Sequence, residues 1–188
     1  MGDTFTLNGD SYHIIANSPT SDDYVVALKE VPLKATDITA AGGTVGYTYS
    51  DTNQTGGMAY HTSSSTYVTS DIKSVVDSWA TSKFTNSELK TVDGYSARLI
   101  KYDEYSAMGD NQEICTGSCY NAFVPNYNWM YNNDYWYWTM TPWQDGDQPS
   151  SSDVWNVFDN GDLGNNYVND SNGAGRPVIN VYKSKISS

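Results

Sequence analysis

Residues 126–178 of this chain read NYNWMYNNDYWYWTMTPWQDGDQPSSSDVWNVFDNGDLGNNYVNDSNGAGRPV, and they join large aromatic side chains to runs of small polar ones. The segment holds five of the 6 tryptophans of the chain. Trp and Tyr supply rigid contact area, whereas Asn, Asp, Ser and Gly are the residues that binding loops use for adaptable contact. The composition therefore favours a display surface over a reaction centre.

Length and composition predict one domain over residues 1–188, in which 126–178 is the ligand-display segment. The chain has 188 residues and 38% hydrophobic content, enough for one good core. The formal net charge of -12 repels phosphate, so we expect neither nucleic acid nor an anionic membrane as a partner. No apolar run is long enough to span a membrane, but an anchor or export signal removed ahead of Met1 would leave no trace.

The remaining pattern predicts an α+β fold with two helices, short antiparallel strands and a coil-rich C-terminal lobe. Short apolar runs at Phe5–Leu7, Tyr12–Ile15 and Tyr24–Val31 read as a β-meander. Ser70 is a predicted cap for a helix whose apolar residues recur to Trp79, and Lys101–Met108 is the second helix. Residues 36–69 read as a surface excursion with short strands, and further strands are expected at Ala97–Ile100, Tyr135–Met140, Val154–Phe158, Tyr167–Val168 and Pro177–Tyr182.

Cys115 and Cys119 enclose three residues, and two thiols so close form a disulfide if the chain turns back on itself. Free thiols are the alternative. A zinc site would need two more ligands, and the only histidines, His13 and His61, are distant in sequence. The interpretation is a local disulfide candidate and no metal.

Known catalytic patterns are missing from the sequence. Neither a nucleophile elbow nor a zinc-protease or phosphate-loop motif occurs, and two histidines leave few bases for a serine or cysteine triad. Paired carboxylates for glycoside cleavage stay open, because their separation in space is not readable from sequence. We therefore expect a protein that is not an enzyme and has no cofactor.

Five short motifs, taken in order, carry a resemblance to a known family. The chain resembles bacterial and phage surface proteins with a C-type lectin-like fold of the formylglycine-generating-enzyme type, among them the variable proteins of diversity-generating retroelements. The resemblance runs from about Phe5 to Ile186. Its motifs are Asp71–Trp79, Ala97–Ile100, Tyr135–Met140, Val154–Val157 and Gly175–Ile179.

The resemblance implies that a retroelement rewrites a ligand-binding face by mutating adenines. Template codons of the AAC or AAT type reach most small polar residues, Tyr and Phe, but not Trp. Tryptophans would therefore be scaffold or fixed lining, and Arg176 would pin the last strand. The plain alternative is that these polar residues form ordinary solvent-exposed turns. The fixed tryptophans are Trp136, Trp138, Trp143 and Trp155, and the expected variable, ligand-binding residues are Asp145, Asp147, Ser151, Ser152, Asp153, Asn156, Phe158, Asp159, Asn160, Asp162, Asn165, Asn166, Tyr167, Asn169, Asp170 and Asn172.

Calcium is the one cofactor that the resemblance raises. Gln148–Ser150 and Trp155–Val157 partly match two motifs of sugar-binding C-type lectins. Ser150 and Val157, however, occupy the positions at which those motifs have the acidic residues that coordinate calcium. Calcium needs six or more oxygens, several of them carboxylate. The aspartates of the segment would attract the cation only loosely, without a dedicated site.

These observations combine into one functional hypothesis and two alternatives. The hypothesis is a non-enzymatic, extracellular recognition protein on a bacterial cell or a virion, which binds a variable protein or glycan. The first alternative is a structural pilin-like or cell-wall subunit that uses its aromatic face for assembly. The second is a glycan-processing enzyme.

Overall fold

The computed structural model describes residues 2–17, 23–115, 119–145 and 148–186. These residues form an α+β structure in which every named strand pair is antiparallel, as the sequence predicts. The helices are α1 (Ala35–Ala40), α2 (Asp71–Lys83) and α3 (Tyr102–Ser106). The strands are β1 (Thr4–Leu7), β2 (Asp10–Asn17), β3 (Tyr24–Lys29), β4 (Tyr47–Thr48), β5 (Gly56–Gly57), β6 (Ala97–Leu99), β7 (Gly109–Cys115), β8 (Cys119–Pro125), β9 (Tyr137–Asp145), β10 (Gln148–Val157), β11 (Leu163–Tyr167) and β12 (Pro177–Tyr182).

The main sheet has the strand order β1-β2-β3-β12-β6. The predicted meander of β1, β2 and β3 is confirmed, and its first turn is Asn8-Gly9, where both residues have positive φ angles of 49° and 82°. That conformation matches the twist of a two-residue hairpin and favours Asn-Gly. All six residues of β3 are buried, as are five of the six in β12. The last described strand therefore lies in the centre of the sheet.

Helix α2 covers one face of this sheet, and its prediction is confirmed. The Ser70 side chain accepts a hydrogen bond from the Lys73 N–H at 3.2 Å, which caps the first turn. Ile72, Val76 and Trp79 belong to the buried face of the helix and pack in the larger of two apolar clusters. The spacing of apolar residues was sufficient to predict this element because the helix buries a single stripe.

Three features differ from the sequence prediction. The described residues contain three α-helices, because the sequence prediction missed α1. This helix has six residues and buries only Ile38, too little for a periodic signal. Residues 36–69 do contain short strands, but Met58, Tyr60 and Tyr67 are core residues, so a surface excursion is wrong there. The C-terminal lobe is a three-stranded sheet of order β11-β10-β9, not mainly coil, and the β7–β8 hairpin precedes it. Polar strands such as β10 give no apolar alternation to detect.

The β9–β11 sheet is attached to the rest of the molecule through both apolar clusters. Trp138 and Val154 pack in the cluster of α2, whereas Tyr137 and Val157 pack in the second cluster, with Leu28 of the main sheet. Backbone hydrogen bonds reinforce the attachment, including Met140 N–H to the Ile100 carbonyl at 2.9 Å. The lobe is therefore held on the core along its inner side.

Two further predictions concern the cysteines and membranes. Cys115 and Cys119 are Cα partners in the β7–β8 pair, but the three residues between them, and both side chains, lie outside what the structure describes. The disulfide stays a prediction. Over the described ranges, no helix is long and apolar enough to cross a membrane.

Candidate ligand-binding surface

Two of the predicted fixed tryptophans form the inner support of the lobe. Trp138 is fully buried, and its indole N–H donates to the Met58 carbonyl at 3.0 Å. The half-buried Trp136 ring meets it edge-on, with centroids 4.7 Å apart. A Cβ at Gly173 would lie 2.2 Å from Trp138 Nε1, so the chain can pass this ring only as glycine. The Trp pair thus fixes the path of the returning chain before β12.

Arg176 is the second support, and it is 1% exposed. Its guanidinium donates to four backbone carbonyls: Lys29 at 2.8 Å, Glu30 at 2.9 Å, Trp129 at 2.7 Å and Met130 at 2.7 Å. It also lies over the Tyr137 ring. Burial raises the pKa of Tyr137 to about 12, although the positive charge of Arg176 acts to lower that pKa. One side chain therefore ties β12 to the end of β3 and to the loop before β9.

The opposite side of the lobe carries a mixed aromatic and polar surface, which we call the outer face and define by Tyr102, Asp153, Trp155, Asn165 and Tyr167. Asp153 pairs with Tyr167 and Trp155 with Asn165 across β10 and β11, so their side chains share one side of the sheet. Tyr167 is 67% exposed, and the half-buried Trp155 ring packs 4.5 Å from that of Tyr102. The face offers an anchored aromatic pair beside exposed polar groups.

The start of β10 carries two exposed serines next to the outer face. Ser151 and Ser152 are exposed, while their carbonyls accept hydrogen bonds from the Ser65 and Val168 N–H groups at 3.0 and 2.9 Å. The Ser150 and Ser152 hydroxyls donate to Asp153 Oδ2 at 2.9 and 2.8 Å. Backbone hydrogen bonds thus hold this part of β10, and the exposed side chains at 151 and 152 take no part in them.

The loops at the edges of β11 hold most of the other predicted variable residues. Tyr105 anchors the first loop by donating to the Gly161 carbonyl at 2.9 Å. Tyr49 anchors the second by donating to the Asn172 carbonyl at 2.8 Å, and burial raises its pKa to about 12, with smaller contributions from Tyr47 and two nearby aspartates. Exposed members are Phe158, Asp159, Asn160, Asn169 and Asn172, and half-buried members are Asp162 and Asp170.

Asn156 was expected on the surface, and this is wrong. Its side chain is fully buried on the inner side of β10, opposite Trp138, and neither its Oδ1 nor its Nδ2 has a hydrogen-bond partner among the residues that the structure describes. Asn166 is half-buried and pairs with the buried Val154, so it also belongs to the inner side. Strand alternation explains both, because β10 places residues 154 and 156 on the same side.

The other predicted residues lie as follows. Trp143 is half-buried near the end of β9. Of Asp145 the structure describes the backbone at the end of that strand, and Asp147 lies outside the described residues. Sequence reasoning missed Tyr102 and Tyr49, because each meets the lobe only through a tertiary contact and neither has a local motif. Their aromatic character was the only signal.

The two histidines are both engaged by the fold. His61 Nδ1 accepts the N–H groups of Ser63 and Ser64 at 3.0 and 3.1 Å. His13 is buried against Trp129, with ring centroids 4.2 Å apart, and burial followed by the nearby Arg176 lowers its pKa. Within the described part of the chain, no group of three or more His, Cys, Asp or Glu side chains is arranged to hold a metal ion.

The outer face is suited to surface recognition: aromatic area is fixed, and polar groups around it are exposed. In comparisons with known proteins, no family model, no curated protein and no solved structure matches the chain.

Proposed function

We propose that this protein is a non-enzymatic recognition module with a C-type lectin-like fold, displayed extracellularly on a bacterial cell or virion. Its outer face binds a protein or glycan, and a retroelement varies the exposed positions of the lobe. One observation carries the proposal. The backbone of β10 and β11 is held by the inward side chain of Val154 and by hydrogen bonds to Ser65 and Val168, while Ser151, Ser152 and Tyr167 are exposed.

This arrangement separates stability from specificity. Surface substitutions usually change stability by less than about 0.5 kcal/mol, whereas buried ones cost several times more. The Trp155–Tyr102 pair gives each variant the same apolar anchor, and aromatic anchors dominate binding energy at interfaces. Changing the exposed neighbours would therefore change the partner without unfolding the scaffold.

The chain order supports the lectin-like part of the proposal. The lobe is inserted between β6 and β12, which are neighbours in the main sheet, and β12 also pairs with β3. Both ends of the lobe thus start from adjacent strands of one scaffold. Loops and lobes that vary are commonly carried in this way by a rigid framework.

A pair of libraries tests the recognition function. The first randomises Ser151, Ser152, Asn165 and Tyr167 with AAC-derived codons, and the control library randomises the inward Val154 and Asn156 with the same codons. We expect most members of the first to melt within about 4 °C of the parent and most of the second to melt well below it. Selection on immobilised lysozyme should yield binders from the first library. Widespread unfolding there, or no binders, would refute the proposal.

The diversification has its own test. We expect a reverse-transcriptase gene beside the coding sequence, together with a near-copy of the segment for residues 126–178 that differs only at adenines. Sequencing the genomic neighbourhood decides this. A neighbourhood without both features would refute diversification and leave the recognition function to the libraries.

Size-exclusion chromatography separates recognition from the assembly alternative. A display module should elute as a monomer or a small defined oligomer at micromolar concentration. An assembly subunit would instead form large particles that a Tyr167→Ser substitution on the outer face disperses.

A further inference from the structure

A cleft lies apart from the outer face, between the end of β3 and the loop that precedes β9. Its volume is about 320 Å³. A smaller cleft of about 210 Å³ adjoins this first one, and both are lined by Glu30, Val31 and Asn53. We call the two adjoining clefts together the groove. The first cleft is lined by Glu30, Val31, Asn53, Asn128, Trp129, Tyr131, Asn132 and Tyr135.

Several polar groups in this cleft have no partner among the described residues. The carboxylate of Glu30, the side-chain amides of Asn53 and Asn128, and the indole N–H of Trp129 make no hydrogen bond or ion pair there. Asn132 differs, because its Oδ1 accepts the Asp134 N–H at 2.8 Å. The cleft therefore presents solvent-accessible hydrogen-bonding groups from three separate segments of the chain.

The walls that carry these groups are held in place. Arg176 binds the carbonyls of Glu30 and Trp129, so the two sides of the cleft are joined through one buried guanidinium. The Trp129 ring stacks on His13 and on Tyr127, with centroids 4.2 and 5.2 Å apart. A site fixed before binding loses little conformational entropy when a ligand arrives.

The residue types select the ligand chemistry. Each Asn amide offers two donors and an acceptor, and Glu30 offers acceptors only, so the matching ligand must both donate and accept at neighbouring atoms. Hydroxyl groups do this. A cation would leave the amide donors unused, and an anion would meet Glu30 in a chain of net charge -12. The volume is near the lower end of the range for small-molecule sites.

We propose that this groove binds a neutral saccharide. Asn53, Asn128 and Glu30 hydrogen-bond its hydroxyls. The adjoining cleft accommodates further sugar units of a chain. This site shares no lining residue with the outer face.

Affinity electrophoresis tests the site with defined probes. The full chain is run in native gels that contain soluble mannan, dextran, galactan or xyloglucan, with hyaluronan as the charged comparison. We expect at least one neutral polysaccharide to retard the chain. Asn53→Ala and Asn128→Ala should each raise the dissociation constant about tenfold, the effect of losing one or two hydrogen bonds. Neither amide bonds the fold, so both variants should melt like the parent.

Two matched controls make the result specific. Asn86→Ala lies in a different cleft and should be retarded like the parent. Asn165→Ala lies on the outer face and reports whether the saccharide binds there instead. Retardation by none of the neutral probes would overturn the proposal, as would equal retardation of the Asn53 and Asn128 variants. Loss in the Asn165 variant alone would assign saccharide binding to the outer face and overturn this site while leaving the proposed function intact.

Discussion

Replacing Arg176 by methionine tests how strongly the lobe is fixed to the core. The change keeps an unbranched apolar stem and removes all four hydrogen bonds to the carbonyls of Lys29, Glu30, Trp129 and Met130. At a net value of about 1 kcal/mol for each bond, the free energy of unfolding should fall by about 4 kcal/mol. That is a large share of the about 5–15 kcal/mol typical of a domain.

Urea titration followed by circular dichroism measures this loss, and the melting temperature should fall by about 8–16 °C. Lys185→Met is the control, because it removes an exposed positive charge near the same end of the chain and should change stability by less than about 0.5 kcal/mol. Arg176→Lys should lie between the two, since one ammonium cannot reach four carbonyls. A loss below about 1 kcal/mol for Arg176→Met would refute the view that this side chain joins the three segments.

Three further predictions concern single side chains. Asn156→Leu keeps the branched shape and removes a buried amide that has no hydrogen-bond partner among the described residues. The free energy of unfolding, measured by urea titration, should rise by about 1–3 kcal/mol. A fall in that free energy would show that the amide is hydrogen-bonded. Ser70→Ala removes the cap of α2 and should cost about 1 kcal/mol, whereas Ser87→Ala should cost little. The pKa of His13 is lowered in the folded protein, so as the pH falls the unfolded chain takes up the proton first. The contribution of neutral His13 to the free energy of unfolding is therefore present above about pH 6.5 and is lost as the pH falls below that value. His13→Phe keeps a ring against Trp129 and should show a smaller fall in melting temperature from pH 7.5 to 5.5; equal falls would contradict this.

Elements that depend on local chemistry were predictable from the sequence. The cap at Ser70, the apolar stripe to Trp79 and the Asn8-Gly9 turn each involve residues within one or two turns of chain. The antiparallel α+β class followed from them. By contrast, α1 buries a single side chain, and β10 begins with a run of polar residues, so neither has a pattern that hydrophobicity can reveal.

The candidate surface was predictable only in outline. Its aromatic frame and polar edge loops could be recognised by composition, but the side of the sheet on which each residue lies could not. Asn156 was misplaced because its polarity suggested exposure, although its two-residue spacing from Val154 indicated the inner side. The contact of Tyr102 with Trp155 joins residues more than fifty positions apart, and no local signal predicts such a pair.

The central position of β12 has a consequence for synthesis. Pro177–Tyr182 leaves the ribosome after the whole lobe, yet it must insert between β3 and β6 before the main sheet is complete. A frameshift or premature stop anywhere in the lobe removes this strand, so the truncated product cannot complete the main sheet between β3 and β6. Under the proposed diversification, variants with a frameshift or a premature stop in the rewritten segment would therefore fail to fold. Only full-length, in-frame variants would reach the surface.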